Sequence, residues 1–418
     1  MATVRPFKAF RPTRDKVHLV ASRSYISYSR KGLMSKLDEN PFTFLHILNP
    51  EYNKRKTTKA NSEARFLKVR EKFREFITHQ IIVQDEKDSF YIYRQIKNGH
   101  AYLGIIGCAS VEDYHNKVIK KHEATIAKRE NMFKNYLKST QINAEPVCFT
   151  YPNNETIDLI TQQKIIERPE YDFTTTNKDR HSFWVIDNPK EVQLIAEAFK
   201  EVDSIYIADG HHRSASSALM GEELKSKNPN HTGDELYNFF MGVFIPEQEL
   251  QIFEFNRLIT EIGDLTTAQF LKKIQKEFEV IYVDKEMFVP RKVHEIGMYI
   301  DNKWYCLIPK EGKIKASDPV ENLDVSILTN HLLAPILGIT DLRTDNRVYF
   351  KGGLAGVEAL KHDVDSGKAR AAFAHFPVTM DQLKKIADAD CIMPPKSTWI
   401  EPKLRSGLTV FSTDENDR

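Results

Sequence analysis

Little in this sequence can be cross-linked, inserted into a bilayer or laid along a polyanion. Its 418 residues hold only four cysteines, at positions 108, 148, 306 and 391, with no Cys-x-x-Cys pair. That excludes a disulfide framework and a cysteine-based zinc site, and leaves scattered reduced thiols of the kind that cores bury. No apolar run nears the roughly 20 residues that cross a membrane. Residues 1–19 are polar and basic without an apolar signal segment, so a cytoplasmic protein with no membrane partner is expected. Lysine and arginine total 60 against 58 acidic residues, a net charge of +2. Such balance argues against a nucleic-acid partner held by bulk charge, although a local basic groove could hide inside it. Repeats at solenoid periods are absent. So are a Gly-x-x-x-x-Gly-Lys-Ser/Thr loop, a protein-kinase motif set, a Gly-x-Ser-x-Gly elbow and a glycine-rich dinucleotide fingerprint. Any phosphate chemistry must therefore use another scaffold.

The residues that are present fit a folded α+β (mixed α/β) protein. Aromatic residues make up 11% of the chain, more than disordered sequence carries, and helical and strand patterns alternate. Residues 62–80 repeat Phe66, Val69, Phe73, Phe76 and Ile77 at helical spacing, with glutamates interleaving a basic outer face. Strands are expected over 89–95 and 101–109, joined through Lys97-Asn98-Gly99, and a charged stretch, 117–138, reads as loop then helix. Asp187-Asn188-Pro189 opens a helix whose buried side holds Val192, Leu194, Ile195, Ala198 and Phe199. A strand over 204–208 and a helix over 214–225 follow. Beyond a polar connection at 228–234 come strands at 239–245 and 250–255, a helix at 267–278, a strand at 280–283 and a hairpin, 296–300 with 304–308. An apolar helix over 323–337 stops at Gly338, and a short helix spans 379–387. The expected division is an α/β region at 1–230, an insertion or second domain at 231–340, a segment at 341–410 that folds back on the first, and a disordered tail at 411–418.

The sharpest chemical signal is Ile205-Tyr206-Ile207-Ala208-Asp209-Gly210-His211-His212-Arg213, followed by Ser214 and an alanine- and serine-rich helix. A strand running through a glycine turn into a helix points backbone N–H groups at whatever lies in front. Arg213 can grip phosphate oxygens as a fork. His211 and His212 can donate to the same oxygens or carry protons, and Asp209 suits Mg²⁺. The same residues also suit a capped helix whose polar groups satisfy one another. Zinc fits less well, because adjacent histidines point apart and no third soft ligand is near in sequence. Two further groups are weaker alone. Glu112-Asp113-Tyr114 with Lys120-Lys121-His122-Glu123 is a charged loop that could place a general base. Met393-Pro394-Pro395-Lys396-Ser397-Thr398, continued by Glu401-Pro402-Lys403-Leu404-Arg405-Ser406-Gly407, is a stiff loop offering lysine, arginine and hydroxyls to phosphate.

Together these segments resemble, over nearly the full chain, the domain-of-unknown-function family 1015. Val4-Arg5-Pro6-Phe7-Lys8-Ala9-Phe10-Arg11-Pro12, Val20-Ala21-Ser22-Arg23, Asn40-Pro41-Phe42-Thr43-Phe44-Leu45-His46, Val111-Glu112-Asp113-Tyr114 with Lys121-His122-Glu123, the 208–213 signature and the 393–398 and 402–407 loops carry the likeness. The family is similar to a ParB/sulfiredoxin-like core and to free-serine kinases built on it. The resemblance implies a Mg²⁺-dependent kinase that phosphorylates a small hydroxyl compound, most simply free L-serine, from pyrophosphate, ADP or ATP. It implies Asp209 as metal ligand, and Gly210, Arg213, Ser214, Lys396 and Ser397 as phosphate-binding. His122, Arg257 and Thr398 would bind substrate. Glu123, His211, His212 and Arg213 would be catalytic. The alternative is a ParB-like, nucleotide-binding, DNA-associated regulator. A third reading is a protein that keeps the fold and acts by interaction. Whether two copies pair as a homodimer is open. The chain departs from the family pattern at Ser24-Tyr25-Ile26, where relatives carry Pro-Tyr-Asp, and at Phe255-Asn256-Arg257, where they carry Thr-His-Arg.

Overall fold

The computed structural model describes residues 1–418 and shows the expected mixture of helices and sheets. It divides into two compact units. The first comprises Met1–Lys120, Thr125–Leu250 and Pro402–Arg418; the second comprises Lys121–Ala124 and Gln251–Glu401.

A nine-stranded mixed sheet organises the first unit. Its order is Tyr171–Thr174, Arg180–Ile186, Phe90–Lys97, His100–Ser110, Phe239–Pro246, Val147–Tyr151, Ile205–Asp209 and Ile119–Lys120, with Val4–Arg5 added against His100–Ser110. Side chains alternate between its faces. Phe90, Ile92, Phe149, Trp184, Ile205, Ile207 and Phe244 enter one core, closed by Ile157 and Ile160 of helix Glu155–Lys164 and by Ile195 and Phe199 of helix Pro189–Lys200. Asn188 caps the latter helix as expected, accepting from the Lys190 N–H. Leu194 is nevertheless exposed, because the buried stripe runs through Ile195, Ala198 and Phe199. The alternate strand positions Tyr91, Tyr93, Gln95, Thr150 and His181 are also buried. A second cluster gathers Phe10, Val20, Phe44, Val69, Phe73 and Phe76 around helix Glu63–Thr78.

The tail expected to be disordered is held in place. Phe411–Ser412 pairs with Ile142–Asn143, and the carboxylates of Asp414 and Asp417 take Arg70 and Arg74, each at 2.6 Å. Polar composition suggested fraying; ion pairs to a helix far away in sequence prevent it.

The second unit is built on a seven-stranded antiparallel sheet. Phe278–Val283, Lys303–Pro309, Ile296–Ile300, Ala371–Ala374, Gln251–Ile259 and Val348–Gly352 lie in that order, and Thr398–Glu401 pairs with the start of Gln251–Ile259. Ile259, Phe270, Met298, Leu307, Leu328, Leu332 and Phe373 fill its main core. Asp301 and Asn302 turn the hairpin with φ of 47° and 60°, the left-handed pair that matches strand twist. The apolar stretch expected as one helix is Asp324–Leu328 and Ala334–Leu337 joined by a π-helical turn, Thr329–Leu333. Pro335 accompanies the widening, since it cannot donate to the preceding turn. Gly338, at φ 67°, ends the segment as expected.

The units cut the chain differently from the expected segments at 1–230, 231–340 and 341–410. Phe239–Pro246 lies between two strands of the first sheet, so residues 231–250 belong there. Residues 341–401 belong with the second unit and 402–418 with the first.

Candidate functional site

The site is built where strand Ile205–Asp209 meets helix His211–Lys227. Ile205 and Ile207 anchor the strand in the first core. Tyr206 and Ile207 pair with Thr150 and Phe149, but Asp209 then pairs with Cys148, so Ala208 is an extra residue in the ladder. A bulge of this kind bends the strand and re-aims the residues beyond it. Gly210 comes next at φ 110° and ψ 29°, a conformation closed to side chains, and no side chain caps the helix it starts.

The helix begins three residues earlier than expected, so His211, His212 and Arg213 occupy its first turn. The N–H groups of a first turn have no acceptor within their own helix and carry its positive end. A salt-bridge cluster fixes the far side of the helix: Glu223 accepts from Lys134, Lys138 and Lys227.

Arg213 folds back over Gly210. Its Nε and Nη2 would lie 3.0 Å from a Cβ placed on the glycine, so the missing side chain makes room for the guanidinium. Nη1 donates to the Pro146 carbonyl. Nη2 stands 3.5 Å from the Asp209 carboxylate, and Lys403 reaches the same oxygen at 3.6 Å. Both ion pairs are longer than tight charge-assisted bonds, which run near 2.7–2.9 Å. Asp209 keeps 45% of its side chain exposed between these cations.

The histidines differ in setting. His211 is 4% exposed. His212 has a buried Nδ1 with no hydrogen-bond partner. Burial, then the charge of Arg129, pushes His212 below the ordinary histidine range, with Glu130 opposing. It is therefore a neutral imidazole at neutral pH. The Ser214 hydroxyl is fully buried and donates to the Gly210 carbonyl at 3.3 Å, and Ser216 donates to the His212 carbonyl at 2.6 Å. Ser214, expected to bind phosphate, thus spends its hydroxyl inside the helix.

The remaining expected residues lie in the second unit, gathered by the loop that carries Lys396. The Met393 N–H donates to the His122 carbonyl at 2.9 Å. The Pro395 carbonyl accepts from Arg257 Nη2 at 3.4 Å, and Lys396 sits over the Phe255 ring at 5.3 Å. His122 is buried and Glu123 is exposed. Ser397 donates to the Pro394 carbonyl at 2.7 Å, closing the loop on itself, so this hydroxyl too is spent locally. Thr398 begins the strand that pairs with Gln251–Ile259. Arg257 is fully buried and lies over Phe350, with burial alone holding it down to about 9. Beside it His375 is buried with neither ring nitrogen partnered, and its backbone N–H donates to Asn256 Oδ1 at 2.9 Å.

Sequence reasoning singled out the turn and offered phosphate the loop that holds Lys403, but did not name Lys403 as a site residue or foresee that it reaches Asp209. Its signal was the proline-fixed basic loop. Pro146, whose carbonyl locks Arg213, gave no sequence signal.

The family described as "Protein of unknown function (DUF1015)" matches residues 4–326. No curated protein matches the chain. Among solved structures, a free serine kinase in complex with AMP is 12% identical, with TM-score 0.36 over 72% of this chain and 91% of the kinase. SbnI with a C-terminal truncation, from Staphylococcus aureus, is 10% identical, with TM-score 0.37 over 72% of this chain and 87% of its own. A conserved hypothetical protein from Pyrococcus furiosus is 12% identical, with TM-score 0.34 over 71% of this chain and 90% of its own. Likeness this distant leaves the chemistry to be read from this chain's own residues. No helix is long and apolar enough to cross a membrane.

Proposed function

The chain belongs to the DUF1015 family of proteins of unknown function, and from that premise we propose that it is a phosphotransferase, a small-molecule kinase acting on free L-serine. The donor is pyrophosphate or a nucleoside phosphate, ADP or ATP. One observation carries this reading: an uncapped helix start at Gly210 with Arg213 folded over it and Lys403 beside it, all facing one half-exposed carboxylate.

Positive groups converge there, which suits a phosphate bearing two or more negative charges. Asp209 fits a magnesium ligand, since it offers a hard, exposed oxygen whose present ion pairs are loose. The chemistry a bound Mg²⁺ supplies is neutralisation of phosphate charge. Arg213, Lys403 and the first-turn N–H groups stabilise charge on the transferred and departing oxygens, the main demand of phosphoryl transfer. His212, neutral and partly enclosed, can donate to one of those oxygens. The serine hydroxyl oxygen forms the new bond to phosphorus as the bond to the departing phosphate breaks, and the hydroxyl proton passes to a carboxylate. Glu123 is the proposed acceptor of that proton, a role resting on its order in the chain. Lys396 is proposed to bind phosphate, and His122, Arg257 and Thr398 to bind substrate, each judged by its own substitution.

The test is incubation of the full chain with Mg²⁺, L-serine and, separately, pyrophosphate, ADP or ATP, followed by phosphorus NMR. A phosphoserine resonance with one donor is expected. Its absence with all three refutes the proposal. Arg213→Ala should cut kcat by roughly 10²–10³, the cost of losing one charge-stabilising donor, in a protein that still folds.

A further inference from the structure

The sheet of the second unit ends on one side at strand Phe278–Val283, which pairs with Lys303–Pro309 and with no other strand. Its neighbour fixes which way its backbone points. The two-residue turn Asp301-Asn302 makes Ile300 and Lys303 a hydrogen-bonded pair. Lys303, Tyr305 and Leu307 therefore bond toward Ile296–Ile300, and Trp304, Cys306 and Ile308 bond the other way. Those last three lie opposite Val283, Ile281 and Glu279. The Lys310 N–H donates to the Glu277 carbonyl at 3.0 Å and continues the same alternation. The N–H and C=O groups of Phe278, Val280 and Tyr282 thus point out of the sheet, and no backbone bond meets them.

An open edge invites another strand, and proteins blunt such edges with lysine, proline or a very short strand. Val348–Gly352, at the far end of the same sheet, carries Lys351, which is tied to Asp363 at 2.6 Å. Phe278-Glu279-Val280-Ile281-Tyr282-Val283 carries neither lysine nor proline, and its one charge is Glu279. Ile281 and Tyr282, on opposite faces of the strand, are 41% and 54% exposed. The two ends differ in charge. Exposed Lys276 precedes the strand, and exposed Asp284 and Glu286, with Lys285 between them, follow it.

We propose that Phe278–Val283 pairs antiparallel with the same strand of a second copy, joining the two seven-stranded sheets in a two-fold dimer. Antiparallel self-pairing is the contact that a two-fold axis generates. It brings Lys276 at the start of one strand to the Asp284–Glu286 end of the other, whereas a parallel arrangement would set like ends together. The outward groups belong to alternate residues, so the ladder forms only in registers centred on a single residue. Centred on Ile281, Val280 of each copy bonds Tyr282 of the other, and the two Ile281 side chains meet at the axis as a non-hydrogen-bonded pair. Lys276 then counts opposite Glu286, and Lys285 opposite Glu277. Centring between Val280 and Ile281 would lose the bonds and set Lys276 against Lys285. Centring on Val280 would keep the bonds but set Ile281 against the Glu279 carboxylate.

Sedimentation of the full chain over roughly 1–300 μM, the range in which contacts of modest area associate, should show monomer passing to dimer. Ile281→Lys places two like charges at the axis and should raise Kd about 10-fold or more. Tyr282→Pro removes an N–H that the sheet does not use and should act in the same direction; near-ultraviolet circular dichroism and the urea midpoint verify that each variant folds. Cross-linking tests the register without relying on either variant. Ile281→Cys is made with Cys306→Ala and Cys391→Ser, which remove the thiol opposite it in the ladder and the half-buried one. Mild oxidation should then give a disulfide-linked dimer, because facing non-hydrogen-bonded residues lie about 4.5 Å apart at Cα. Glu279→Cys in the same background should not cross-link, its two copies being offset by four residues, about 13 Å. The proposal is overturned if wild type stays monomeric over the whole range, if the dimer persists undiminished in folded Ile281→Lys, or if Glu279→Cys cross-links and Ile281→Cys does not. Phosphoserine formation is independent of every one of these outcomes.

Discussion

Replacing Gly210 with alanine isolates what the turn demands of the backbone. At φ 110° any L side chain is strained, and holding a residue in such a region costs about 1–3 kcal/mol. The new methyl would also meet Arg213 Nε and Nη2 at 3.0 Å. That contact is with the mobile end of a long side chain, which can swing away, so the backbone should dominate. A loss of about 1–3 kcal/mol is expected. For a unit of this size it lowers the melting midpoint by about 2–4 °C per kcal/mol. Urea unfolding gives the magnitude, and hydrogen exchange across residues 205–227 locates it. Repeating the substitution in an Arg213→Ala background separates the two causes. A backbone cost persists there to within about 0.5 kcal/mol, whereas a contact cost disappears. Loss below about 0.5 kcal/mol in wild type would refute the turn geometry. Loss confined to the background that retains Arg213 would refute the argument from φ.

Three other outcomes are expected. Glu51 is held down to about 2, first by Lys68 and then by Thr58 and Arg65, against burial. Its contribution is therefore complete above the ordinary glutamate value of about 4.3 and fades as pH falls toward 2; Glu51→Gln should remove that pH dependence from hydrogen exchange at residues 51–58, and an unchanged profile would contradict it. His181, depressed to about 3, should show constant imidazole nitrogen shifts from pH 8 to 5, with stability tied to it lost only as pH drops below about 6.5; a midpoint near 6.5 would show that the ring is not enclosed. Gly242→Ala would put a methyl 2.5 Å from the Phe149 ring, which stacks on Phe244 at 5.0 Å; overpacking should cost about 1–3 kcal/mol, and an unmoved urea midpoint would argue against that close approach.

Local chemistry carried the legible part of this fold. Periodicity marked helix Glu63–Thr78, the Asn188-Pro189 pair marked the helix Pro189–Lys200, and Asp301-Asn302 marked the hairpin. The boundary at the site was misread for a physical reason. Ser214 is a favoured helix cap, yet the cap is Gly210, which has no side chain and starts the helix through its unusual φ. Strands Val147–Tyr151 and Arg180–Ile186 went unread, although the first follows directly on Pro146 beside the turn and the second carries the buried His181. Long-range pairing leaves no local mark. Arg70 meets Asp414, and Lys403 meets Asp209, only because folding joins them across long stretches of chain. The DUF1015 membership was legible from short motifs, but the ParB/sulfiredoxin-like label is carried by none of the matches.

Neither unit is one unbroken stretch of chain. The backbone passes between them after residues 120, 124, 250 and 401. Strand pairs of the first unit join Arg405–Ser406 to Ser22–Arg23 and Phe411–Ser412 to Ile142–Asn143. During synthesis, which delivers the N-terminal side first, these partners must wait for the whole intervening sequence. Ser22 and Ile142 remain without their mates while more than two hundred residues are still inside the ribosome or emerging from it. Maturation of the turn at Gly210 is thereby tied to late events in translation, and a truncated product would carry the Asp-Gly-His-His-Arg motif without the lysine that pairs with its aspartate.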